Sequence, residues 1–377
     1  NWHKMKKAGI VTIYDVPNFG SVLQAFATQM IISDLGYEPV FIDYNRYNQW
    51  RVEHGGATKS SFWRAAIRKI GLKADHRKAI KLENFKNLYF NRTHTYQDLD
   101  ELNKEDWSDY ELFVVGSDQV WNTNYMMGDS FYLLSFVPNA VPKVSIASSF
   151  AMKSLPYCYS DKFKAYLQRF SSLSVREVNA QQIINEGLGL NTDVKLLLDP
   201  TLLLSGKEWN ECLAISPRKK KEKYILFYMW AYAFEPRPYI YEVTKYFQKK
   251  LDCKIIALEG CYSTCPTDLK MENRTDSTIT EFLHLFANAE LVITSSFHGT
   301  AFALNYGRPL VSIVPEGGDD RQTSLIENLG VLNCAVKIGT TVEQISPWYD
   351  IDSQQKRIES LREDSLLWIK RNCKSLV

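Results

Sequence analysis

Residues 290–302 read ELVITSSFHGTAF, an apolar run that breaks into Ser295, Ser296, Phe297, His298 and Gly299 before the chain turns apolar again. The first half has the unbroken Leu-Val-Ile pattern of a strand buried on both faces. The second half, TAFALNYG, reads as a short helix closed by Gly307. Strand, small polar turn and helix make one unit of a parallel sheet, and such sheets bind ligands beyond the strand C-termini. Ser296 is the predicted helix N-cap. Free backbone N–H groups at the turn and the positive end of the helix dipole favour phosphate or carboxylate. This makes Ser295, Ser296, Gly299 and Thr300 the expected anion-binding set, with Gly299 letting the backbone approach closely. His298, whose ordinary pKa lies near working pH, suits a general acid. A structural histidine at a turn is the competing reading.

The same alternation extends in both directions. KKAGIVTIYDV predicts a strand, and Val22, Leu23, Phe26, Met30, Ile31 and Leu35 recur at helical spacing after it. EPVFIDY, YELFVVGSDQVW, PKVSIASSFA and RFSSLSVRE are further strand-like runs that end in small polar residues. A proline and a basic cluster in SPRKKKEK (216–223) mark the expected domain junction. Beyond it, strands are expected at YILFYMW, KIIALEG, ELVITSS and PLVSIV, with helices between them, and a last helix covers about 353–371. The reading is α/β, with two Rossmann-like lobes facing a cleft. The expected N-terminal domain covers 5–215, the C-terminal domain 222–350, and 351–377 is a helix packing back on the body.

Composition excludes several classes. Forty-five Lys and Arg against 43 Asp and Glu leave a formal +2, too balanced to point to nucleic acid. The longest apolar runs are too short to span a bilayer. Seven cysteines form an odd set without Cys-x-x-Cys spacing, and no apolar leader precedes the first strand, so the expected compartment is reducing and cytoplasmic. Cys261 and Cys265 lack a second ligand pair, and no metal site is expected. Residues 59–92 carry ten basic side chains against Asp75 and Glu83. That stretch is either a solvated helix face or a docking site for an anionic membrane surface, at the inner face of the membrane, or for an acidic lipid-linked substrate.

Two more strand ends carry candidate chemistry. Asn18, Gly20 and Ser21 in NFGS offer small polar groups at a helix start, suited to a sugar or phosphate or to a capped tight turn. In GSDQVWN, Asp118, Gln119, Trp121 and Asn122 combine a carboxylate, amides and an aromatic, as a sugar site does. Asp118 is a candidate base for an acceptor hydroxyl, and an Asx-turn with a packed tryptophan is the alternative. Asp199 in DPT reads as a turn starter. Arg321, in GGDDRQTS (317–324), is a candidate anion ligand.

Taken in order, NFGSVLQAFA (18–27), VVGSDQVWN (114–122), SIASSFA (145–151), SVRE (174–177), LLDPTLLL (197–204) and ITSSFHGTAFALNYGRPLV (293–311) resemble the polysaccharide pyruvyl transferases. These enzymes move pyruvyl from phosphoenolpyruvate onto sugar hydroxyls. The resemblance implies that His298 protonates the methylene of phosphoenolpyruvate, and that Arg176 binds the donor's phosphate or carboxylate, a task for a planar fork. It implies no cofactor beyond phosphoenolpyruvate as co-substrate, and a sugar acceptor that is free, nucleotide-linked or lipid-linked. Several members have Arg-Leu-His where this chain has Ser296-Phe297-His298, which removes one cation from the expected donor site. Arg321 or Arg308, the helix N-terminus, or a changed donor would have to make up for it. The rival readings are a glycosyltransferase of the two-lobed GT-B architecture using a nucleotide sugar, with Glu259 or Glu316 on its ribose, and an inactive carbohydrate-binding member.

Overall fold

The structure is a computed structural model that describes residues 6–47, 73–215, 222–231, 233–259, 265–316 and 320–374. It divides into two compact units, one formed by Asn1–Pro200 with Leu366–Val377 and the other by Thr201–Ser365.

In the first unit, β1 (Lys7–Val11), β2 (Glu38–Phe41), β3 (Tyr110–Val115) and β4 (Lys143–Ser145) form a parallel sheet in the order β2-β1-β3-β4. Bridges from Val144 to Ser172 and from Ser148 to Val175 extend it towards a parallel pair, β5 (Leu173–Val175) and β6 (Val194–Leu196). All pairings are parallel, and the order of strand addition reverses between β1 and β3, which is the topological switch point where ligands gather in open sheets. Asn18 caps the Phe19–Asp34 helix that follows β1, its side chain accepting from Ser21 N at 3.2 Å. Ring clusters fill the sheet faces. Trp107, Phe113, Phe131, Phe136 and Phe150 are all buried there.

The second unit holds one six-stranded sheet: β7 (Tyr224–Tyr228), β8 (Lys254–Glu259), β9 (Met271–Asn273), β10 (Leu291–Thr294), β11 (Leu310–Val314) and β12 (Ala335–Lys337). Every pairing is parallel, in the order β12-β11-β10-β7-β8-β9. This is the strand order of the Rossmann nucleotide-binding sheet, with its switch point between β7 and β10. Side chains of β7, β10 and β11 are buried on both faces, as the continuous apolar runs require.

The sequence placed the junction at 216–223, but the division falls at Pro200. The reason is local: Asn305 Nδ2 donates to Thr201 O at 3.0 Å and Leu204 O at 2.8 Å, and Trp209 packs edge-on to Phe302. Residues 216–221 lie outside the described residues. The final helix, Ile351–Cys373, is shared. Arg362 donates to Leu202 O and Asn305 Oδ1 in the second unit, while Cys373 O accepts from Tyr37 Oη and Asn372 Oδ1 from Ser172 Oγ in the first.

Residues 59–72 of the basic stretch lie outside the described residues, and the rest contains the helix Lys73–Tyr89. Not all of its cations face solvent. Lys78 is buried with Nζ 4.8 Å from the centre of the Phe19 ring, and Lys86 is buried and paired with Glu83 at 2.6 Å. Among the described residues no helix is long and apolar enough to cross a membrane.

Lys143 is a buried cation of a different kind. Its Nζ donates to Pro138 O at 2.7 Å and Val141 O at 2.9 Å, and burial, with Arg169 nearby, pushes its pKa down to about 8. A folded value below the unfolded one means that the unfolded chain binds more protons between the two values, so Lys143's contribution to stability grows as pH rises through that window. The wild-type advantage over Lys143→Met in urea unfolding should therefore increase from about pH 7 to about pH 10. A difference that stays flat over that range would place the ammonium in water.

Candidate functional site

The switch point of the second unit is built from hydroxyls. Thr294, the last residue of β10, donates from Oγ1 to Tyr228 O at 2.6 Å and accepts from Ser296 N at 3.0 Å. One residue on, Ser295 Oγ donates to Trp230 O at 2.7 Å and accepts from Trp230 N at 2.9 Å, tying the end of β10 to the chain leaving β7. Ser296 then caps the helix Phe297–Asn305, accepting from Gly299 N at 3.4 Å. This is the expected N-cap. His298 stands in the first turn, 7% exposed, with its ring edge-on to Phe297.

Three members of the expected anion set do other work, Ser295 being committed to Trp230 as both donor and acceptor. Thr300 is fully buried, donating to Ser296 O and sharing a 2.7 Å hydrogen bond with Ser312, which also accepts from Gln322 Nε2. Gly299 is small for the sake of the sheet: a Cβ there would overlap Thr294 Oγ1 and lie 2.9 Å from Tyr228 Cδ1. The close approach is between helix and strand and not between backbone and ligand. Arg321 is buried in the first turn of the helix Asp320–Asn328, while residues 317–319 lie outside the described residues.

At the switch point of the first unit the functional groups are charged. Asp118 follows β3 in a left-handed conformation (φ 70°), which Asp tolerates better than most residues. Its Oδ2 accepts from Ser21 Oγ at 2.6 Å and its Oδ1 from Gln119 N at 2.9 Å. Arg176 leaves the end of β5 with a side chain 1% exposed. Its Nη1 donates to Asp199 Oδ2 at 2.7 Å, its Nη2 lies 3.6 Å from Asp118 Oδ1, and its Nε lies 3.8 Å from Glu177 Oε2. Glu177 Oε1 in turn accepts from Ser149 Oγ, Phe150 N and Ala151 N. Ala147 and Ala151 are also left-handed, at φ 52° and 49°. Such strain collects where a structure over-determines its backbone, and functional sites are the usual place.

Several expectations change here. Arg176 was expected to hold an anionic donor, but its guanidinium is enclosed by three carboxylates, so it neutralises the protein's own charges. Trp121 was expected at a sugar site, but it is 1% exposed, donates from Nε1 to Tyr132 O and packs on Phe150, leaving no ring face for a sugar. Asn122 caps the Thr123–Met126 turn and donates to Gln119 Oε1, so both amides are committed locally. Asn18 and Ser21 are positioned together, while Gly20 lies buried in the first turn of their helix. Asp199 is a partner of Arg176 rather than a mere turn starter. Glu177 and Trp230 went unrecognised in the sequence, although the Glu in SVRE beside a buried arginine carries a signal. Among the described residues no cluster of three His, Cys, Asp or Glu side chains is placed to hold a metal.

The family model of the polysaccharide pyruvyl transferases matches residues 18–317. This chain belongs to that family. No curated protein matches it. Among solved structures, this pyruvyl transferase family member is similar to a putative UDP-N-acetylglucosamine 2-epimerase from Listeria monocytogenes, with 10% identity, TM-score 0.56, and 98% of this chain and 97% of that one covered. It is also similar to another UDP-N-acetylglucosamine 2-epimerase, with 9% identity, TM-score 0.52, and 99% and 98% covered. A third is the S. aureus MnaA–UDP complex, with 11% identity, TM-score 0.50, and 98% and 91% covered. At these identities the likeness is one of fold. The family member has the GT-B type of α/β architecture, with a parallel sheet in each unit.

Two substitutions test these geometries. Arg176→Met would leave Asp118, Glu177 and Asp199 buried without their cation, and should cost about 3–5 kcal/mol in urea unfolding. Gly299→Ala should cost about 1–3 kcal/mol by overpacking the helix against β10. A wild-type midpoint for either variant would mean that the corresponding contact does not constrain the fold.

Proposed function

We propose that this chain transfers the pyruvyl group of phosphoenolpyruvate to two hydroxyls of a sugar in a polysaccharide or its precursor, forming a pyruvate ketal. The observation that carries the reading is His298 in the first turn of a helix at the β7/β10 switch point, within a chain of the pyruvyl transferase family. His298 protonates the donor's methylene carbon, which becomes the methyl group. A sugar hydroxyl oxygen then bonds to the central carbon, the bond from that carbon to the phosphate oxygen breaks, and the second hydroxyl closes the ketal. Of the two hydroxyl protons released, one replaces the proton supplied to the methyl group and the other leaves with phosphate.

The amide groups of the first helical turn, with Ser296, hold the anionic donor. Arg321 in the neighbouring helix is the cation we assign to the same task. Asp118 is the acceptor-side base, with Ser21 and Gln119 beside it. Arg176 acts as a positioning residue that fixes the carboxylates of Asp118 and Asp199. The reaction needs no metal or further cofactor, and belongs in the cytoplasm, where phosphoenolpyruvate is made.

His298→Asn should lower kcat by at least ~100-fold with an unchanged unfolding midpoint, as loss of a general acid does. Retention of full turnover would remove His298 from the chemistry. Phosphoenolpyruvate should raise the thermal midpoint of the wild type.

One feature favours a second reading. Glu259 ends β8, the strand next to β7 on the side away from β10, where Rossmann sheets carry the acid that grips a ribose. A midpoint raised by a nucleotide sugar and not by phosphoenolpyruvate would favour a glycosyltransferase.

A further inference from the structure

A cavity opens at the C-terminal edge of the first sheet, on the β2 side of its switch point. Its volume is about 700 Å³, within the ~300–1,000 Å³ range of small-molecule sites. Tyr14 and Asp15 enter it from the segment after β1, Asp43 from the segment after β2, and Glu83 and Lys86 from the Lys73–Tyr89 helix, with Arg92 closing the wall. Three strand-end or helix segments that are far apart in sequence therefore converge on one polar concavity.

The charges in this wall are already matched. Glu83 takes Lys86 Nζ at 2.6 Å on Oε2 and Arg92 Nη1 at 3.0 Å on Oε1. Asp15 Oδ2 takes Arg46 Nε at 3.1 Å from outside the cavity. Asp43 takes two neutral donors instead, Tyr14 Oη at 3.1 Å on Oδ1 and Thr95 Oγ1 at 2.8 Å on Oδ2. Burial, and after it the Asp43 charge, push the Tyr14 phenol well above its ordinary range, so it remains a donor. Each Asp43 oxygen has a lone pair left for an incoming hydroxyl. Both cations of the wall are already bonded to a carboxylate, and Asp15, Asp43 and Glu83 are offset by Lys86, Arg92 and, on Asp15, Arg46, with His94 also in the lining, so no Lys or Arg of the wall is left over for an anion. Phosphoenolpyruvate and nucleotide diphosphates are thereby disfavoured. Carboxylates, ammonium and guanidinium groups held in fixed positions suit a ligand that both donates and accepts many hydrogen bonds and carries no net negative charge.

We propose that this cavity is a saccharide subsite for an uncharged hexose or N-acetylhexosamine unit of the acceptor, with Asp43 as its principal hydrogen-bond acceptor. The assignment of this sugar to the acceptor rests on the pyruvyl transfer reading, whereas the site itself does not. It also gives the buried end of the basic helix a role: Lys86 and Glu83 are wall groups and not part of a solvated charge stripe.

Saturation-transfer difference NMR on the full chain tests it, using methyl glycosides of neutral hexoses, of N-acetylhexosamines and of hexuronic acids. Neutral or N-acetylated glycosides should give signal and the uronates none, and Asp43→Asn should weaken binding by roughly tenfold. Glu83→Gln frees Lys86 and Arg92 from their carboxylate, and should admit the uronates. No signal from any neutral or N-acetylated glycoside, a wild-type preference for uronates, or an unchanged selectivity in Glu83→Gln would each overturn the proposal. Should Asp43→Asn fail to fold, the selectivity of Glu83→Gln decides alone. The thermal shift with phosphoenolpyruvate is read in parallel on Asp43→Asn. If the wild type shows no such shift while the glycosides bind, the pyruvyl reading fails and the saccharide site stands.

Discussion

The buried guanidinium of Arg176 holds the functional end of the first unit together. Three carboxylates from three strand ends meet it: Asp118 after β3, Glu177 after β5 and Asp199 after β6. Charges of one sign cannot be gathered in a buried place without a counter-charge, because desolvation costs several kcal/mol per ion. One guanidinium does not balance three carboxylates, and the remaining charge is met by dipoles. Glu177 collects two backbone N–H groups and Ser149, Asp118 takes Ser21 and a backbone N–H, and Ser117 Oγ lies 2.7 Å from Asp199 Oδ2. Through Ser21 the network reaches the helix after β1, so the loops of four strands and one helix share a single electrostatic anchor. The left-handed backbone at Asp118, Ala147 and Ala151 is the conformational cost of bringing those groups together.

The second unit ties the loops after β7 and β10 together without charge. Its loops are joined by neutral hydroxyls: Thr294 to β7, Ser295 to Trp230, and Thr300 to Ser312 and Gln322. Neutral groups cost little to bury when paired, and they leave the field at the helix N-terminus to the amide dipoles. The anionic donor proposed for this site would meet hydroxyls and amides there rather than the carboxylates of the first unit. The two switch points are thus electrostatically distinct, one carboxylate-rich and one built of hydroxyls and amides. The proposed saccharide cavity beside the first of them fits the same division.

Much of the fold was legible because apolar continuity marks buried parallel strands. β1, β3, β7, β8, β10 and β11 all coincide with runs that the sequence exposes, and the Phe19–Asp34 and Phe297–Asn305 helices begin at the caps Asn18 and Ser296. The strands β6, β9 and β12 did not stand out. Each has three residues at the end of its sheet order, with an intermediate or exposed side chain among them, so no run is long enough to show a period. The junction was misplaced for a related reason. The proline and lysines near 216–223 look like a linker, but the contacts that bind residues 201–213 to the second unit come from Asn305 and Phe302, about a hundred residues away in sequence.

Sequence by itself determined the βα order, the parallel sheets, the family and the presence of His298 after a capped strand end, because these depend on short-range periodicity and local turn chemistry. Only the tertiary structure decided what each polar side chain faces. It turned Trp121 into core, made Gly299 a packing glycine, and showed that Arg176 answers to Asp118, Glu177 and Asp199. Residue type says what a group can bind. Which charge lies within 4 Å of it is set by long-range folding, and in a buried place that neighbour governs what the group does.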